Sequence, residues 1–289
     1  MGLSAAQWLK LAALFVTFVE VPSYRHVILM HGIFATTTEL DHLNGFIQQA
    51  HPGTNVTILN GFNGAFSLRP MWEQIDYFKE RMKKIFQQNP DGVHVVCFSQ
   101  GGLICRGVLS TIKHNVISFV SLSSPQAGQY GDSNYLKYLF PQYLKKNIYR
   151  LFYTQTGQEL SIANYWNDPH HQPLYLKESQ FLAILNNQTF NPRSQEFKEN
   201  FSSLKNLVLI GGPNDGVITP WQSSHFAFYN ENETVVEMKN QPWYIHDWFG
   251  LKTLDQRGAI HKYEIPGVEH VHWHSNKTVF ECCILPWLS

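Results

Sequence analysis

The stretch VVCFSQGGLICRG, residues 95–107, places Ser99 between an apolar run and two glycines. A catalytic serine often occupies the pattern Gly-x-Ser-x-Gly, on a sharp turn from a strand to a helix. Here Gly101 stands at the second glycine position, whereas Cys97 replaces the first. The strand side of such a turn needs a small residue, and cysteine is only modestly larger than glycine. Ser99 is therefore a candidate nucleophile, although ordinary strand-to-helix turns also contain serine.

Two further residues are candidates to activate Ser99. Asp215 follows an apolar run and the turn residues GGPN, so its carboxyl group would project over the end of a sheet. His270 lies in the stretch PGVEHVHWHS, near the end of the chain. The order serine, aspartate, histidine is that of α/β-hydrolases. The imidazole would take the hydroxyl proton, while the carboxylate would orient the ring and stabilise its cation.

The histidines at positions 270, 272 and 274 alternate along the chain. On a strand, alternating histidines would share one face and could bind zinc. The sequence offers no nearby Asp-x-His or cysteine ligand set to complete a metal-dependent hydrolase site. We therefore predict no metal and no cofactor, with His272 and His274 as ordinary polar residues near the site.

Stabilisation of an oxyanion should come from backbone N–H groups. One belongs to the residue after the nucleophile, here Gln100. The second should come from the loop after an early strand, where MHGIFATT supplies His31, Gly32 and Ile33.

Strands alternating with helices would hold these residues in place. Apolar runs at residues 26–32, 55–64, 93–98, 117–125 and 206–216 predict buried strands. Residues 71–88 carry apolar side chains at helical spacing, and residues 100–112 lead into another helix. This alternation predicts an α/β fold, with a mostly parallel sheet flanked by helices.

Residues 126–201 differ in texture, because aromatic residues, Asn and Gln dominate and no strand–helix alternation is visible. Leu and Tyr recur at roughly helical spacing within residues 135–153. Two interpretations stay open and are compatible: helices that pack on the core, or an inserted, mainly helical cap that presents apolar surface to a lipid chain. We expect a hydrolase domain over residues 24–289, with a cap insertion at about 126–201.

The first 23 residues predict a secretory signal peptide, because Lys10 precedes the apolar run LAALFVTFV and small residues follow at the cleavage positions. A buried first helix is the alternative. The run is too short to span a bilayer, which takes about 20 residues, so we do not expect an integral membrane protein. Five sequons support the secretory route and predict glycosylation at Asn55, Asn187, Asn200, Asn232 and Asn276. Lys and Arg together number 22, as do Asp and Glu, which gives no electrostatic argument for a nucleic-acid partner.

The stretches HGIF, FSQGGLICRG, GGPNDGVITPWQSS and GVEHVHWHSN, with the ending PWLS, resemble the lysosomal palmitoyl-protein thioesterase family. The resemblance is strongest to the second branch of that family, and the block DGVITPWQSS is far more specific than any serine motif. It implies an α/β-hydrolase fold in which Ser99, Asp215 and His270 form the catalytic triad. It also implies that the backbone N–H groups of Ile33 and Gln100 form the oxyanion hole.

The same resemblance implies a serine hydrolase that cleaves long-chain fatty acyl thioesters through an acyl-serine intermediate. For the second branch, the substrates would be acyl-CoA-like thioesters in preference to acylated proteins. The protein would reach the lysosome through the secretory pathway and the lysosomal sorting machinery, and some could be secreted. Two alternatives stay open: a lipase or carboxylesterase acting on oxygen esters, and a non-catalytic secreted lipid-binding protein.

The resemblance further implies a disulfide between Cys97 and Cys105, which would tie the strand before Ser99 to the helix after it. An oxidising compartment suits such a bridge, although two reduced cysteines packed in the core are the alternative. Cys282 and Cys283 are adjacent, and the family's partner position near Lys262 and Tyr263 holds no cysteine. Because a vicinal bridge would be strained, we expect these two to be free, buried thiols. A disulfide of the cap in that branch is also absent.

Overall fold

The buried apolar runs of the sequence pair side by side into one parallel sheet. A computed structural model describes residues 24–289, so the predicted signal peptide lies outside the described residues. The strands are β1 (His26–Met30), β2 (Val56–Ile58), β3 (Val93–Phe98), β4 (Val116–Leu122), β5 (Asn206–Gly211), β6 (Phe228–Tyr229), β7 (Val235–Val236) and β8 (Ile260–Glu264). Six of them form a parallel sheet in the order β2-β1-β3-β4-β5-β8, while β6 and β7 form a small antiparallel ribbon. The predicted α/β fold with a parallel sheet is confirmed.

Helices cover this sheet and the ends of its strands. The α-helices are α1 (Asp41–Ala50), α2 (Met71–Gln88), α3 (Gln100–Thr111), α4 (Asn134–Leu139), α5 (Tyr149–Phe152), α6 (Ser161–Asn164), α7 (Gln172–Glu178), α8 (Leu182–Leu185), α9 (Ser194–Ser202), α10 (Pro242–Ile245), α11 (Leu251–Gln256) and α12 (Lys277–Val279). Short 3₁₀ turns lie at Thr37–Leu40, Gly64–Leu68, Gly157–Glu159, Trp221–His225, Met238–Asn240, His270–Ser275 and Leu285–Trp287, and Phe280–Ile284 forms a π-helical turn. No helix within residues 24–289 combines the length and the apolar character that a bilayer crossing needs.

Alternation along each strand divides the core into two layers. In β1, Ile28 and Met30 pack with the apolar sides of α2 and α3, whereas Val27 and Leu29 pack with α1 and the C-terminal turns. Successive side chains of a strand point to opposite faces of the sheet. Because helices cover both faces, the inner strands are mostly apolar and appear as apolar runs in the sequence. The edge strand β8, with the sequence IHKYE, is polar and partly exposed, and no apolar run predicted it.

The segment between β4 and β5 contains α4 to α9, all of nine residues or fewer. The Leu- and Tyr-rich stretch at residues 135–153 is not one helix, because α4 ends before Pro141 and α5 begins eight residues after it. A proline disfavours the helical conformation of the residue before it and cannot donate a backbone hydrogen bond. The boundaries of a separate cap at about 126–201 stay a prediction.

The expectation for the last two cysteines is wrong. Cys282 and Cys283 form a disulfide with each other, and only Cys283 is buried. The chain has four cysteines, and Cys97 pairs with Cys105, so each of the remaining two has only its neighbour as a partner. The two cysteines are therefore oxidised to a disulfide, despite the strain expected of a bridge between adjacent residues.

Two glycines allow the start of α3 to approach the neighbouring strand ends. A Cβ atom on Gly101 would lie 2.4 Å from the carbonyl oxygen of His31, and one on Gly102 would lie 1.9 Å from Ser124 Oγ. Real Cβ atoms do not approach other atoms so closely. The two glycines are therefore required by packing, and the helix that follows Ser99 can start directly against the loop after β1.

We predict that Gly101→Ala destabilises the protein, by about 1–3 kcal/mol, because the methyl group meets backbone that cannot rotate away. The matched control is Gly45→Ala in α1, where a Cβ atom would meet nothing within 4 Å. That control should stabilise the protein by about 0.5–1 kcal/mol, since alanine is the better residue inside a helix. Thermal unfolding followed by circular dichroism measures both. Equal melting temperatures for the two variants would contradict the packing argument.

Candidate active site

Ser99 occupies the turn between β3 and α3. Its backbone has φ 53° and ψ −128°, a conformation that residues with a side chain rarely adopt. Its N–H donates to the carbonyl oxygen of Leu122 at 3.0 Å, so the chain follows the sheet up to this residue and then turns. Ser99 is only 4% exposed but lines a narrow groove. This is the sharp strand-to-helix turn expected from the sequence.

His270 brings the imidazole to the hydroxyl of Ser99. Its Nε2 lies 2.9 Å from Ser99 Oγ, and its Nδ1 lies 2.9 Å from Asp215 Oδ2. The loop after β5 carries Asp215 and the loop after β8 carries His270, so the carboxyl ends of three strands supply the three residues. The two loops are joined, because the N–H of His270 donates to the carbonyl oxygen of Asp215 at 2.9 Å. The structure thus brings together the three residues predicted as a triad.

Asp215 is buried and has hydrogen-bond donors on both oxygens. The backbone N–H groups of Val217 and Ile218 donate to Oδ1 at 3.0 and 2.7 Å. Ser123 Oγ and Trp273 Nε1 donate to Oδ2 at 2.5 and 2.7 Å. Burial alone would raise the pKa of Asp215, but hydrogen bonds from His270, Ser123 and Ile218, with the charge of His270, hold it below its ordinary value. The carboxylate therefore stays ionised and can stabilise an imidazolium.

Two backbone N–H groups are candidates for an oxyanion hole near Ser99. Gln100 begins α3 directly after the serine, where helix-start N–H groups have no partner within the helix. In the loop after β1, Gly32 N–H reaches Glu39 Oε2 at 3.5 Å, and Phe34 N–H donates to Ser67 Oγ at 2.8 Å. Between them lies Ile33, which lines the same groove as Ser99 and whose N–H has no acceptor among the described residues. The oxyanion role of Gln100 and Ile33 stays a prediction.

Comparison with known proteins agrees with this geometry. The sequence profile of the family described as palmitoyl protein thioesterase matches residues 26–270. The chain belongs to the palmitoyl protein thioesterase family. The resemblance predicted from the sequence motifs is thereby confirmed.

The relatives place the chain near the second branch of this family. It is 54% identical to the lysosomal thioesterase PPT2 of Rattus norvegicus and of Homo sapiens, over 268 residues that cover 92% of this chain and 89% of each relative. It is 41% identical to the PPT2 homologue of Drosophila melanogaster over 267 residues, 92% of both chains. Among solved structures, the lipase BlEst2 of Bacillus licheniformis is similar with a TM-score of 0.49 and 14% identity over 93% of each chain. The chain is a homologue of the lysosomal thioesterases.

The other two histidines of the HVHWHS stretch lie apart from the reacting groups. Residues His270–Ser275 form a 3₁₀ turn, not a strand, so the alternating histidines do not share one face. His272 is exposed, whereas His274 packs at 5.0 Å from the ring of Phe98 on the side of the site. The pKa of His274 is lowered to about 4, mainly by burial and to a smaller extent by repulsion from neighbouring histidines. Within residues 24–289, no group of three or more His, Cys, Asp and Glu is placed to hold a metal ion.

Sequence reasoning missed two donors to Asp215. Ser123 follows β4 with φ 42°, and its Oγ lies 2.5 Å from Asp215 Oδ2 but 3.4 Å from His270 Nδ1. Ser123 therefore contacts the carboxylate side of the imidazole, whereas Ser99 contacts Nε2 and the groove. Trp273 is fully buried beneath the same carboxylate. The serine run SLSSP and the tryptophan between two histidines gave no signal that distinguished them from core residues.

The disulfide between Cys97 and Cys105 is present, with both residues fully buried. Cys97 ends the strand before Ser99, and Cys105 lies in the second turn of α3. The bridge joins the two arms of the strand-to-helix turn that holds Ser99.

The predicted glycosylation sites differ in their exposure to solvent. Asn55 and Asn232 are exposed, and Asn187 and Asn276 are half-buried. Asn200 is buried, and its side-chain amide donates a hydrogen bond to the carbonyl oxygen of Ser110. Their glycosylation stays a prediction.

We predict that Trp273→Phe lowers kcat at least roughly ten-fold and leaves KM unchanged. The variant keeps an aromatic ring in the core but removes a hydrogen bond to a charged acceptor, worth about 1.5–3 kcal/mol. The measurement is steady-state hydrolysis of an acyl thioester. Trp287→Phe is the matched control, because that indole donates to the hydroxyl of Tyr263 at 3.1 Å and not to Asp215. A change of the same size in both variants would mean that Trp273 acts only through the core.

Proposed function

We propose that this chain is a serine hydrolase of the lysosome that cleaves long-chain fatty acyl thioesters through an acyl-Ser99 intermediate. Family membership together with the hydrogen-bonded series Ser99, His270 and Asp215 carries this proposal. The lysosomal location is inferred from the relatives, which are lysosomal thioesterases. The predicted passage through the secretory pathway agrees with it.

The reaction follows from the contacts of the three residues. Ser99 Oγ attacks the thioester carbonyl carbon, and its proton passes to Nε2 of His270 while Asp215 stabilises the resulting imidazolium. The carbonyl oxygen, now negative, accepts hydrogen bonds from the N–H groups of Gln100 and Ile33, and each such donor accounts for roughly 100- to 1,000-fold in rate. The C–S bond then breaks, and the thiol leaves with the proton from His270. Water, activated by the same imidazole, releases the fatty acid and restores Ser99.

The groove beside Ser99 supports an acyl substrate. Apolar and aromatic side chains dominate its lining, which comes mainly from the loop after β1 and the segment between β4 and β5. Leu136, Leu139 and Ile162 belong to that segment, as does Tyr165, whose hydroxyl donates to the Gln100 side chain at 3.2 Å. The part of an alkyl chain that contacts this lining would leave water, which favours fatty acyl groups as substrates. In this proposal the segment at about 126–201 acts as the cap.

A second cleft adjoins His270 and could hold the leaving group. Its lining mixes apolar groups with polar side chains, among them Asn134, Asn214 and Glu269. Of its charged side chains, Glu269 and Asp215 are acidic, and among the described residues neither Lys nor Arg lines it. The cleft therefore has no cation to pair with a phosphorylated thiol such as coenzyme A. We infer that the acyl chain, and not the thiol, provides most of the substrate binding.

The test is hydrolysis of palmitoyl-CoA beside a matched palmitoyl oxygen ester, by secreted wild-type protein, Ser99→Ala and Ser123→Ala. We expect thioester cleavage to dominate, to disappear in Ser99→Ala and to persist at a reduced rate in Ser123→Ala. The two variants differ in one hydroxyl each, so they separate the candidate nucleophile from the donor to Asp215.

Preference for the oxygen ester would keep Ser99 as nucleophile but make the protein a lipase or carboxylesterase. Loss of activity in Ser123→Ala with full activity in Ser99→Ala would overturn the assignment of the nucleophile. Absence of activity on both esters in the wild-type protein would favour the non-catalytic lipid-binding alternative.

A further inference from the structure

The segment of residues 133–158, which we call the basic aromatic segment, is unusual in charge. It contains Lys137, Lys145, Lys146 and Arg150 and no Asp or Glu, whereas the whole chain has 22 basic and 22 acidic residues. Lys145 forms an ion pair with Glu233. The other three cationic side chains are exposed, and no pairing with a carboxylate is found for them among the described residues. Between the flanking carboxylates of Asp132 and Glu159, this segment therefore presents three positive charges without an ion-pair partner to solvent.

The same segment exposes large apolar side chains. Tyr138 is 84% exposed and Leu144 is 46% exposed, although neighbouring Leu136 and Ile148 are buried. Burial of Leu136 and Ile148 fixes the segment to the protein and leaves Tyr138 and Leu144 facing outward. An exposed tyrosine has an apolar ring and a polar hydroxyl, which suits the boundary between water and lipid.

The basic aromatic segment borders the entrance to the acyl groove. Its residues Tyr135, Leu136 and Leu139 line that groove together with Phe34 and Ser99. The rings of Phe34 and Tyr135 are parallel, with centroids 6.3 Å apart. Phe34 N–H donates to Ser67 Oγ, and the residue before Ser67 is Phe66, which is 71% exposed. Exposed aromatic side chains therefore lie on two neighbouring segments around the acyl groove.

We propose that the basic aromatic segment, with Phe66, docks on the surface of an anionic phospholipid bilayer, so that an acyl chain passes from the bilayer into the groove. Basic residues near such a surface attract anionic head groups, and exposed Tyr, Phe and Leu side chains insert at the boundary of the acyl region. The segment is continuous with a groove for alkyl chains, which favours a lipid surface over an acidic protein. No glycosylation sequon falls within residues 133–158 to cover it. Transfer of the acyl chain rests on the proposed function, but docking does not.

The experiment measures co-sedimentation of full-length secreted protein with vesicles, in the Ser99→Ala background so that no substrate is consumed. The vesicles contain either phosphatidylcholine alone or equal parts phosphatidylcholine and phosphatidylserine, at pH 7, where the formal net charge of the chain is zero. We expect binding to the anionic vesicles and little to the neutral ones. Lys137→Glu/Lys146→Glu should weaken that binding at least roughly 30-fold, because each basic residue near an anionic surface contributes about a five-fold factor.

Two control variants match these changes elsewhere on the surface. Lys83→Glu/Lys84→Glu reverses two exposed lysines of α2 and gives the same net charge, so its binding should remain close to wild type. Tyr138→Ala should weaken binding, whereas Phe190→Ala, at a side chain that is 89% exposed, should not. Equal effects of the two lysine pairs, equal binding to both kinds of vesicle, or a dimer in sedimentation velocity that Tyr138→Ala dissociates would each overturn the proposal.

A kinetic measurement then separates docking from catalysis. With Ser99 intact, Lys137→Glu/Lys146→Glu should lower hydrolysis of a palmitoyl thioester held in anionic vesicles, and leave hydrolysis of a water-soluble butyryl thioester unchanged. If wild-type protein binds the vesicles but hydrolyses neither thioester, the proposed function fails and docking stands. If it hydrolyses both without binding, docking fails and the proposed function stands.

Discussion

The backbone of Ser99, held at positive φ between β3 and α3, is the constraint on which the rest of the site depends. Such a conformation costs about 1–3 kcal/mol and persists only where the surroundings fix it. Here a buried strand leads into the turn, a fully buried helix leads out of it, and a disulfide joins the two. The glycines at positions 101 and 102 allow that helix to lie against neighbouring backbone. These features together direct the hydroxyl at the imidazole and into the groove.

The carboxylate of Asp215 plays a comparable part on the other side of the imidazole. Four donors besides His270 fix its two oxygens, so it cannot rotate away from the ring. A second hydrogen bond, from Gly267 N–H to Asn214 Oδ1 at 2.8 Å, joins the aspartate loop to the histidine loop. Residues that follow β4, β5 and β8 thus both orient this carboxylate and keep it ionised. Preorganised hydrogen bonds of this kind cost no rearrangement during reaction.

Much of this arrangement could be predicted from the sequence. Strands buried on both faces appear as apolar runs, and α2 was predicted with the bounds that the structure shows, Met71–Gln88. The proximity of Ser99, Asp215 and His270 could be predicted because these residues follow strand ends in the chain order of α/β-hydrolases. The roles of Ser123 and Trp273 could not be predicted, because each residue is more than 50 positions from Asp215 in the sequence and only the fold brings them together. The alternating histidines lie on a 3₁₀ turn and not on the strand that a shared face would require, because local alternation does not determine the conformation of a loop.

The cysteine at the elbow also has a physical explanation. In the pattern Gly-x-Ser-x-Gly the first position needs a small side chain, and Cys97 meets that need while its sulfur reaches Cys105 across the turn. The bridge restrains the same strand-to-helix turn that glycine would only permit. The bridge between Cys282 and Cys283 could not be predicted from local strain alone, because the pairing of a cysteine depends on which other cysteines are within reach in the fold.

The most direct test of the account is covalent labelling of folded wild-type protein with a long-chain alkyl fluorophosphonate, followed by peptide mass spectrometry. This reagent reacts with a serine hydroxyl only where an adjacent base activates it, so heat-unfolded protein serves as the control. The account predicts a single adduct on Ser99 that forms in the folded protein and is lost in His270→Ala. An adduct on Ser123, or no adduct on either serine, would contradict it.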